Sequence, residues 1–288
     1  MPKLDNLTEN LKRAQSIDFV ETFGNSIKTL KDLLMIERTL SLSIGSTIKT
    51  YKSKVTLVDG KVEKGDLIPL SKVDVELDKT FELEYRKHRK AVSAEDIQKY
   101  GFNQAIVKTD KELIRELQKE VRGDFFAQLK TGTGVTKGVG LQGALAQAWG
   151  RIQVAFEDDG VSTIAFVNPL DVADYLTKAS ISVQTAFGLN YVEDFLGAKV
   201  AILSSQIDKG TLYATAPENL VFAHAEVDGG EIGKAFDFVT DETGIIGVTH
   251  DIDKKRLTSE TITLSSGVLF AERLDGVIKS TIEAAVTA

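Results

Sequence analysis

A glycine-rich segment is the first place where the spacing of residues could support chemistry. Gly138, Gly140 and Gly143 follow the GxGxxG pattern, in which a turn between a strand and a helix binds a dinucleotide. That function requires a strand before the first glycine, whereas the sequence predicts a helix there. A Walker A motif is also absent, because Gly233 and Lys234 are followed by alanine instead of Ser or Thr. The segment therefore disfavours a nucleotide site.

The residue types that could bind a metal ion cluster at His250, Asp251 and Asp253. Successive side chains of a strand point to opposite faces, so His250 is expected to point away from both aspartates. No serine lies in the GxSxG turn that carries a hydrolase nucleophile. Because the pattern assembles no acid, base and pocket, the sequence predicts no catalytic residue, no metal ligand and no cofactor.

The composition indicates a globular protein with a core of its own. Of the 288 residues, 42% are hydrophobic, and the absence of cysteine removes disulfides, thiolate nucleophiles and Cys-ligated zinc. The net charge of −7 argues against a dedicated nucleic-acid binder, because such binding depends on Lys and Arg at phosphates. No apolar run is long enough for a membrane span, and no signal peptide is predicted.

Charge is distributed unevenly along the chain. Residues 218–253 contain nine acids and one base, whereas residues 86–90 read RKHRK. Charged runs are typical of solvated surfaces, but opposite charges can also dock one copy of a protein against another. We therefore predict that Arg86, Lys87 and Arg89 pair with acids of a neighbouring copy, in the 218–253 region.

Residues 46–92 predict a long β-hairpin. From 73 to 85 apolar and acidic residues alternate, which predicts a strand about 44 Å long. Residues 49–57 predict its partner strand, which carries lysines opposite the acids.

The hairpin needs a surface to lie on, because a long two-stranded ribbon with one thin apolar face is marginal in water. Packing on its own domain is one possibility, and lying across a neighbouring subunit is the one we favour. Turn signals place Asp59, Gly60, Lys61 and Lys64 between the strands. We predict that these four residues belong to an interface between subunits.

The longest helix is predicted over residues 109–131. Thr109 and Glu112 have the spacing of a capping box, and Gly123 interrupts the helix. Gly123 is either tolerated strain or the site of a bend or a close neighbour. Six apolar residues fall on one face: Leu113, Ile114, Leu117, Val121, Phe125 and Leu129. From residue 161 onward short strands and a helix alternate, and strands predominate after residue 241.

The order of these elements resembles that of the major capsid proteins of tailed, siphovirus-type bacteriophages, which have the Hong Kong 97-type fold. The segments that carry the resemblance are 90–97, 130–134, 167–171, 196–205, 210–213, 220–222 and 272–282.

The resemblance implies an α+β fold with a defined domain order. Its parts are an N-terminal arm (1–45), an extended β-hairpin loop (46–92), a peripheral domain (93–160) with the spine helix 109–131, an axial α/β domain (161–240) and returning strands (241–288).

The resemblance further implies a structural subunit without enzymatic activity. It would assemble with itself, as hexamers and pentamers, into an icosahedral shell around phage double-stranded DNA. Since only about 45 residues precede the hairpin, a separate scaffolding protein is implied, together with a portal. Such a shell forms in the host cytoplasm, becomes part of the virion, binds DNA without sequence specificity and has no membrane.

Two alternatives remain open at this point. An encapsulin-like nanocompartment has the same fold, and a cytosolic α+β enzyme or binding module belongs to a different class. Covalent cross-linking through a lysine and a late asparagine, known in one lineage of the family, is not expected. Lys61 or Lys64 could supply the lysine, but no asparagine follows Asn219.

Overall fold

The computed structural model describes residues 5–56, 70–157, 160–176, 183–227 and 231–284, with positions 58, 61 and 67. Its helices are α1 (Asp5–Leu33), α2 (Ala94–Tyr100), α3 (Phe102–Leu129), α4 (Gly140–Ala155), α5 (Pro169–Leu176) and α6 (Glu231–Ala235). Its strands are β1 (Arg38–Leu42), β2 (Thr47–Thr56), β3 (Lys72–Glu82), β4 (Arg86–Ser93), β5 (Gly134–Val139), β6 (Ile164–Val167), β7 (Gln184–Ala186), β8 (Leu189–Phe195), β9 (Ala198–Leu203), β10 (Thr211–Thr215), β11 (Leu220–Ala225), β12 (Val239–Thr240), β13 (Ile246–Asp253), β14 (Thr258–Ser265), β15 (Val268–Ala271) and β16 (Ile278–Glu283).

These strands form four sheets. The largest has seven strands in the order β5-β16-β10-β6-β9-β8-β7. A four-stranded sheet has the order β12-β13-β14-β4, a three-stranded sheet the order β1-β11-β15, and β2 pairs only with β3. The mixture of helices with largely antiparallel sheets is an α+β fold, as predicted.

The seven-stranded sheet is covered by helices on both faces. In β6 all four residues are buried, because alternate side chains enter two different cores. Ala165 and Val167 pack with the inner face of α4, whereas Ile164 and Phe166 pack with α1 and α3. The sheet is therefore the central layer of the subunit.

The spine helix α3 begins seven residues earlier than predicted. It runs from Phe102 to Leu129, and the predicted capping box is wrong, because Thr109 lies inside the helix and donates to the Ala105 carbonyl at 2.8 Å. The predicted apolar face is confirmed. Ile114, Leu117, Phe125 and Leu129 are buried, and Leu113 and Val121 pack against the same core.

The segment predicted as the N-terminal arm, residues 1–45, contains one long helix, α1. It continues through Gly24 and lies mainly on β13. Its buried apolar side chains recur with helical spacing: Phe19, Phe23, Ile27 and Leu30. At Gly24 the helix approaches the Asp241 carboxylate so closely that a Cβ atom would lie 2.2 Å from Oδ2.

Alanine should have different effects at two helical glycines. No heavy atom lies within 4 Å of a Cβ built at Gly123, so Gly123→Ala is expected to raise the free energy of unfolding by about 0.5–1 kcal/mol. At Gly24 the new Cβ displaces the end of the Asp241 side chain, whose Oδ1 accepts hydrogen bonds from Thr243 and Gly244. We therefore expect Gly24→Ala to stabilise the protein less than Gly123→Ala. Urea unfolding of both variants measures this, and an equal gain at both positions would contradict the packing of α1 against Asp241.

Candidate interaction surfaces

The predicted hairpin is present as the isolated two-stranded sheet of β2 and β3. In its register Lys52 lies opposite Glu76 and Lys54 opposite Asp74, as the alternation of charges predicts. The strand β3 ends at Glu82, and the run after residue 85 belongs to β4 in a different sheet.

The base of the hairpin is attached to its own subunit. Ile48 and Phe81 pack against the core of the three-stranded sheet, and the Phe81 and Phe270 ring centroids are 4.7 Å apart. Lys79 Nζ also donates to Thr131 Oγ1, at the end of α3, at 2.6 Å. These contacts fix the direction in which the hairpin leaves the subunit.

Beyond its base the hairpin exposes apolar side chains. Val73 and Leu77 on β3 are more than half exposed, and Leu67 and Leu70 in the connection are 92% and 93% exposed. Large apolar side chains at such exposure, concentrated in one projecting element, are typical of a surface that another molecule covers.

The predicted interface residues at the tip are only partly described. Lys61 is exposed, whereas Asp59, Gly60 and Lys64 lie outside the described residues. Their role between subunits therefore stays a prediction.

The basic run 86–90 has its acidic partners inside the same subunit. Alternate side chains of β4 point toward α3, where Arg86 pairs with Asp124, His88 with Glu120 at 3.1 Å and Lys90 with Asp110 at 2.7 Å. Arg89 pairs with Glu260 of the adjacent strand β14.

Arg86 and Arg89 therefore each have an acidic partner within their own subunit, at Asp124 and Glu260. Lys87 is exposed. Whether any of the three also contacts a neighbouring copy stays a prediction.

A buried polar network links five elements, and sequence reasoning missed it. Ser16 Oγ of α1 lies 2.8 Å from His250 Nδ1, and His250 Nε2 lies 3.4 Å from Asp110 Oδ2. The other oxygen of Asp110 pairs with Lys90 and accepts from Thr261 Oγ1 at 3.1 Å. His250 points inward while Asp251 is exposed, as strand alternation predicts.

The sequence of contacts from Ser16 to His250 to Asp110 resembles a hydrolytic triad, but the serine is buried in the packing between elements. Ser16 is only 2% exposed and its hydroxyl also donates to the Lys12 carbonyl at 3.1 Å. A substrate carbonyl therefore has no access to Ser16 Oγ, which nucleophilic attack requires. The network instead joins α1 to α3, β4 and β13.

Asp110 is held ionised in this network. Burial opposes the charge, but hydrogen bonds from His250 and Lys90, together with the charge of Lys90, outweigh it and lower the Asp110 pKa. Because the folded-state pKa is depressed, this carboxylate stabilises the fold above its unfolded-state pKa of about 3.9. That contribution is lost as the pH falls through the lower, folded-state value.

Replacement of Asp110 by Asn should therefore remove a pH-dependent part of the stability. The amide retains the shape but loses the charge, so we expect the free energy of unfolding to fall by about 1–3 kcal/mol near neutral pH. The difference from wild type should shrink as the pH falls below about 4, because the carboxyl of the unfolded wild-type chain then protonates and the folded-state carboxyl follows at its lower pKa. Unfolding curves between pH 3 and 7 measure this, and a constant difference would contradict the assignment.

The glycine-rich segment proves to be structural. A strand, β5, does precede α4, so the prediction of a helix directly before the motif is wrong. However, β16 and β10 separate β5 from β6, whereas the dinucleotide fingerprint belongs to a unit of adjacent parallel strands. A Cβ at Gly138 would lie 2.3 Å from the Gly143 carbonyl carbon, so the glycines allow the strand to pack against its helix.

The described part of the chain contains no group of three or more His, Cys, Asp or Glu side chains placed to bind a metal ion. None of its helices combines the length and apolarity needed to cross a membrane.

Comparison with known proteins identifies the fold. No protein-family model and no curated protein matches the sequence. Among solved structures, the capsid of cyanophage P-SCSP1u matches with a TM-score of 0.57 and 9% identity, over 86% of each chain. The SrpI encapsulin of Synechococcus elongatus matches with a TM-score of 0.56 and 10% identity, over 90% of each chain. The mature capsid of bacteriophage PhiM1 matches with a TM-score of 0.53 and 10% identity, over 87% of this chain and 86% of that one. This chain therefore has the Hong Kong 97-type fold that the order of its elements predicts.

Proposed function

We propose that this chain is a major capsid protein, a structural subunit that assembles with itself into an icosahedral shell around phage double-stranded DNA. The observation that carries the proposal is the projecting β2–β3 hairpin on a Hong Kong 97-type fold. Its base is fixed to its own subunit, while Leu67 and Leu70 beyond that base are almost fully exposed. Similarity to structures described as phage capsids supports the same function.

In the assembled shell the hairpin lies across the adjacent subunit. That contact covers its apolar side chains and includes the tip residues Asp59, Gly60, Lys61 and Lys64. Repeated around closed rings, it gives the hexamers and pentamers of the shell.

The domain division proposed from the sequence follows from this assignment. The arm is 1–45, the extended loop 46–92, the peripheral domain 93–160, the axial domain 161–240 and the returning strands 241–288. Strands β6 to β10 all lie within residues 161–240 and belong to one sheet, which supports the proposal that this range forms one domain.

The partners and location proposed for the chain are those of a capsid subunit without enzymatic activity. A separate scaffolding protein and a portal guide assembly in the host cytoplasm, and the shell becomes part of the virion. The enclosed DNA is held without sequence-specific contacts, which agrees with the acidic net charge of −7.

An encapsulin-like nanocompartment is the second candidate, since the SrpI encapsulin is as similar in structure as the phage capsids are. The contents of the particle separate the two functions. A capsid encloses DNA, whereas a nanocompartment encloses a cargo protein.

Light scattering during size-exclusion chromatography and negative-stain microscopy of the purified chain test the proposal. We expect rings of subunits or closed particles of megadalton mass. The contrary result is a protein that remains a monomer or a small oligomer at high concentration and forms nothing larger when a scaffolding protein from the same source is co-expressed. That result would contradict a shell function and favour the enzyme or binding module.

A further inference from the structure

One end of the four-stranded sheet carries a basic turn. The turn between β13 and β14, residues 254–257, exposes Lys254, Lys255 and Arg256, and the adjacent Leu257 is 65% exposed. We refer to these four residues as the basic turn.

Acids near the basic turn have partners within the subunit. Asp253 accepts hydrogen bonds from the backbone N–H groups of Lys255 and Arg256 at 2.9 and 3.2 Å, and its carboxylate pairs with Arg256 at 3.8 Å. A backbone N–H group does most to lower the pKa of Asp251 and the charge of Lys254 adds to this effect, but the ion pair of Asp251, at 3.1 Å, is with Lys12. The positive charge in excess at this turn is therefore that of the two exposed lysines.

The opposite end of the same sheet carries an acidic rim. Three exposed carboxylates surround the start of β13: Glu226, Asp237 and Glu242. The segments that carry them are joined, because Val227 donates to the Gly244 carbonyl at 2.8 Å and because β12 pairs with β13. Phe236, 63% exposed, precedes Asp237 in the chain. We refer to the three carboxylates and Phe236 as the acidic rim.

Among the described residues, three cations lie close to the acidic rim without neutralising it. Lys28 of α1 lines the same surface depression as Asp241 and Glu242, and Lys234 belongs to α6. Lys31 of α1 acts on His224 together with Glu226 and Asp241. Asp241 adds a fourth carboxylate, so negative charge remains in excess.

The two charged ends cannot neutralise each other inside one subunit. β13 has eight residues, so the ends are about 24 Å apart at 3.4 Å per residue. The Debye length at physiological ionic strength is about 8 Å, which screens the attraction over that distance.

We propose that the basic turn of one copy docks on the acidic rim of another copy, with Leu257 packed against Phe236. The two ends carry opposite charges, and each exposes an apolar side chain that the other can cover. A nucleic acid would use the basic turn alone and would be repelled by the rim. This inference rests on the proposed self-assembly and names the surfaces that one of its contacts uses.

The contact is heterologous, because two different surfaces meet. A docked pair therefore keeps one free basic turn and one free acidic rim, and further copies can be added. Growth into rings or larger arrays requires this property. In the proposed contact residues 254–256, and not residues 86–90, supply the cations that meet the acidic rim.

Charge reversal on each side, and on both, tests the contact. One variant carries Lys254→Glu and Lys255→Glu, a second carries Asp237→Lys and Glu242→Lys, and a third carries all four changes. Arg256 and Glu226 are left unchanged because they bond to Asp253 and Ser41 inside the subunit. The fourfold variant has the wild-type net charge, so it controls for charge alone.

Sedimentation at low ionic strength should show a distinct pattern. Each double variant is expected to associate about tenfold more weakly than wild type, since several exposed pairs turn from attractive to repulsive. The fourfold variant should recover association. An equimolar mixture of the two double variants should also associate, because the reversed turn of one matches the reversed rim of the other.

Three results separate this inference from the proposed function. If either double variant forms normal shells as well as the wild-type protein does, the docking contact is overturned and the shell function is retained. Small oligomers with the expected charge pattern would support the contact and contradict the shell. Folded variants whose association is not recovered in the fourfold variant, at unchanged thermal midpoint, would also overturn the contact.

Discussion

Leu117→Ala should yield a subunit that is unstable before any assembly step. Leu117 is 3% exposed, in the core where α3 meets α1 and β11. With Phe23 and Phe222 it lines an internal cavity of about 20 Å³, so truncation enlarges an existing void. Such a change costs about 2–5 kcal/mol. That is a large part of a typical total stability of about 5–15 kcal/mol.

The same helix provides a matched control in Lys119→Ala. Lys119 pairs with Glu116 at 3.3 Å on the solvent face, and both side chains are mostly exposed. Its loss should change the free energy of unfolding by no more than about 0.5 kcal/mol. Soluble yield and thermal midpoint of the purified monomers measure both effects. A stable Leu117→Ala monomer beside an unstable Lys119→Ala monomer would mean that the inner face of α3 is wrongly assigned.

Sequence periodicity predicted those elements that need only a local pattern. The apolar stripe of α3 and the strand pairing of β3 with β2 are both confirmed. The prediction that strands predominate after residue 241 is confirmed by β13 to β16, which polar turns separate clearly.

The glycine-rich strand β5 could not be predicted from local preference. Glycine weakens an isolated strand, so the local sequence gives no strand signal there. Its parallel pairing with β16 comes from residues far along the chain, beginning with Gly134 opposite Ile278. There a Cβ at Gly134 would lie 2.3 Å from Ile278 Cδ1, so the glycine makes the close pairing possible.

The partners of the basic run were also beyond the sequence. A run of cations reports its own charge but not which acids the fold brings near it. Asp110 and Asp124 occupy one face of α3, and the position of β4 beside that helix makes them the partners of Lys90 and Arg86. The same limit explains why the His250 network was missed, since its five side chains lie on five separate elements.

Deletion of residues 59–71 should abolish particle formation and leave the subunit folded. The deletion joins Val58 to Lys72, which leaves two residues between the paired positions Thr56 and Lys72. Two residues are the commonest length of a hairpin connection, so β2 and β3 can still pair. The base contacts of Ile48 and Phe81 are untouched. What is lost is the exposed apolar connection, whose partner surface we place on another copy.

A second variant separates the reach of the hairpin from its apolar contacts. Replacing residues 59–71 by a Gly/Ser segment of equal length keeps the reach but removes Leu67 and Leu70. If buried apolar area drives the contact, this variant should fail like the deletion, because each leucine contributes roughly 1.5–3 kcal/mol when it is covered. Microscopy of particles and the thermal midpoint of the free subunit are the two readouts. Normal shells from the deletion would refute an essential hairpin contact, whereas shells from the Gly/Ser variant alone would assign the role to length and not to the leucines.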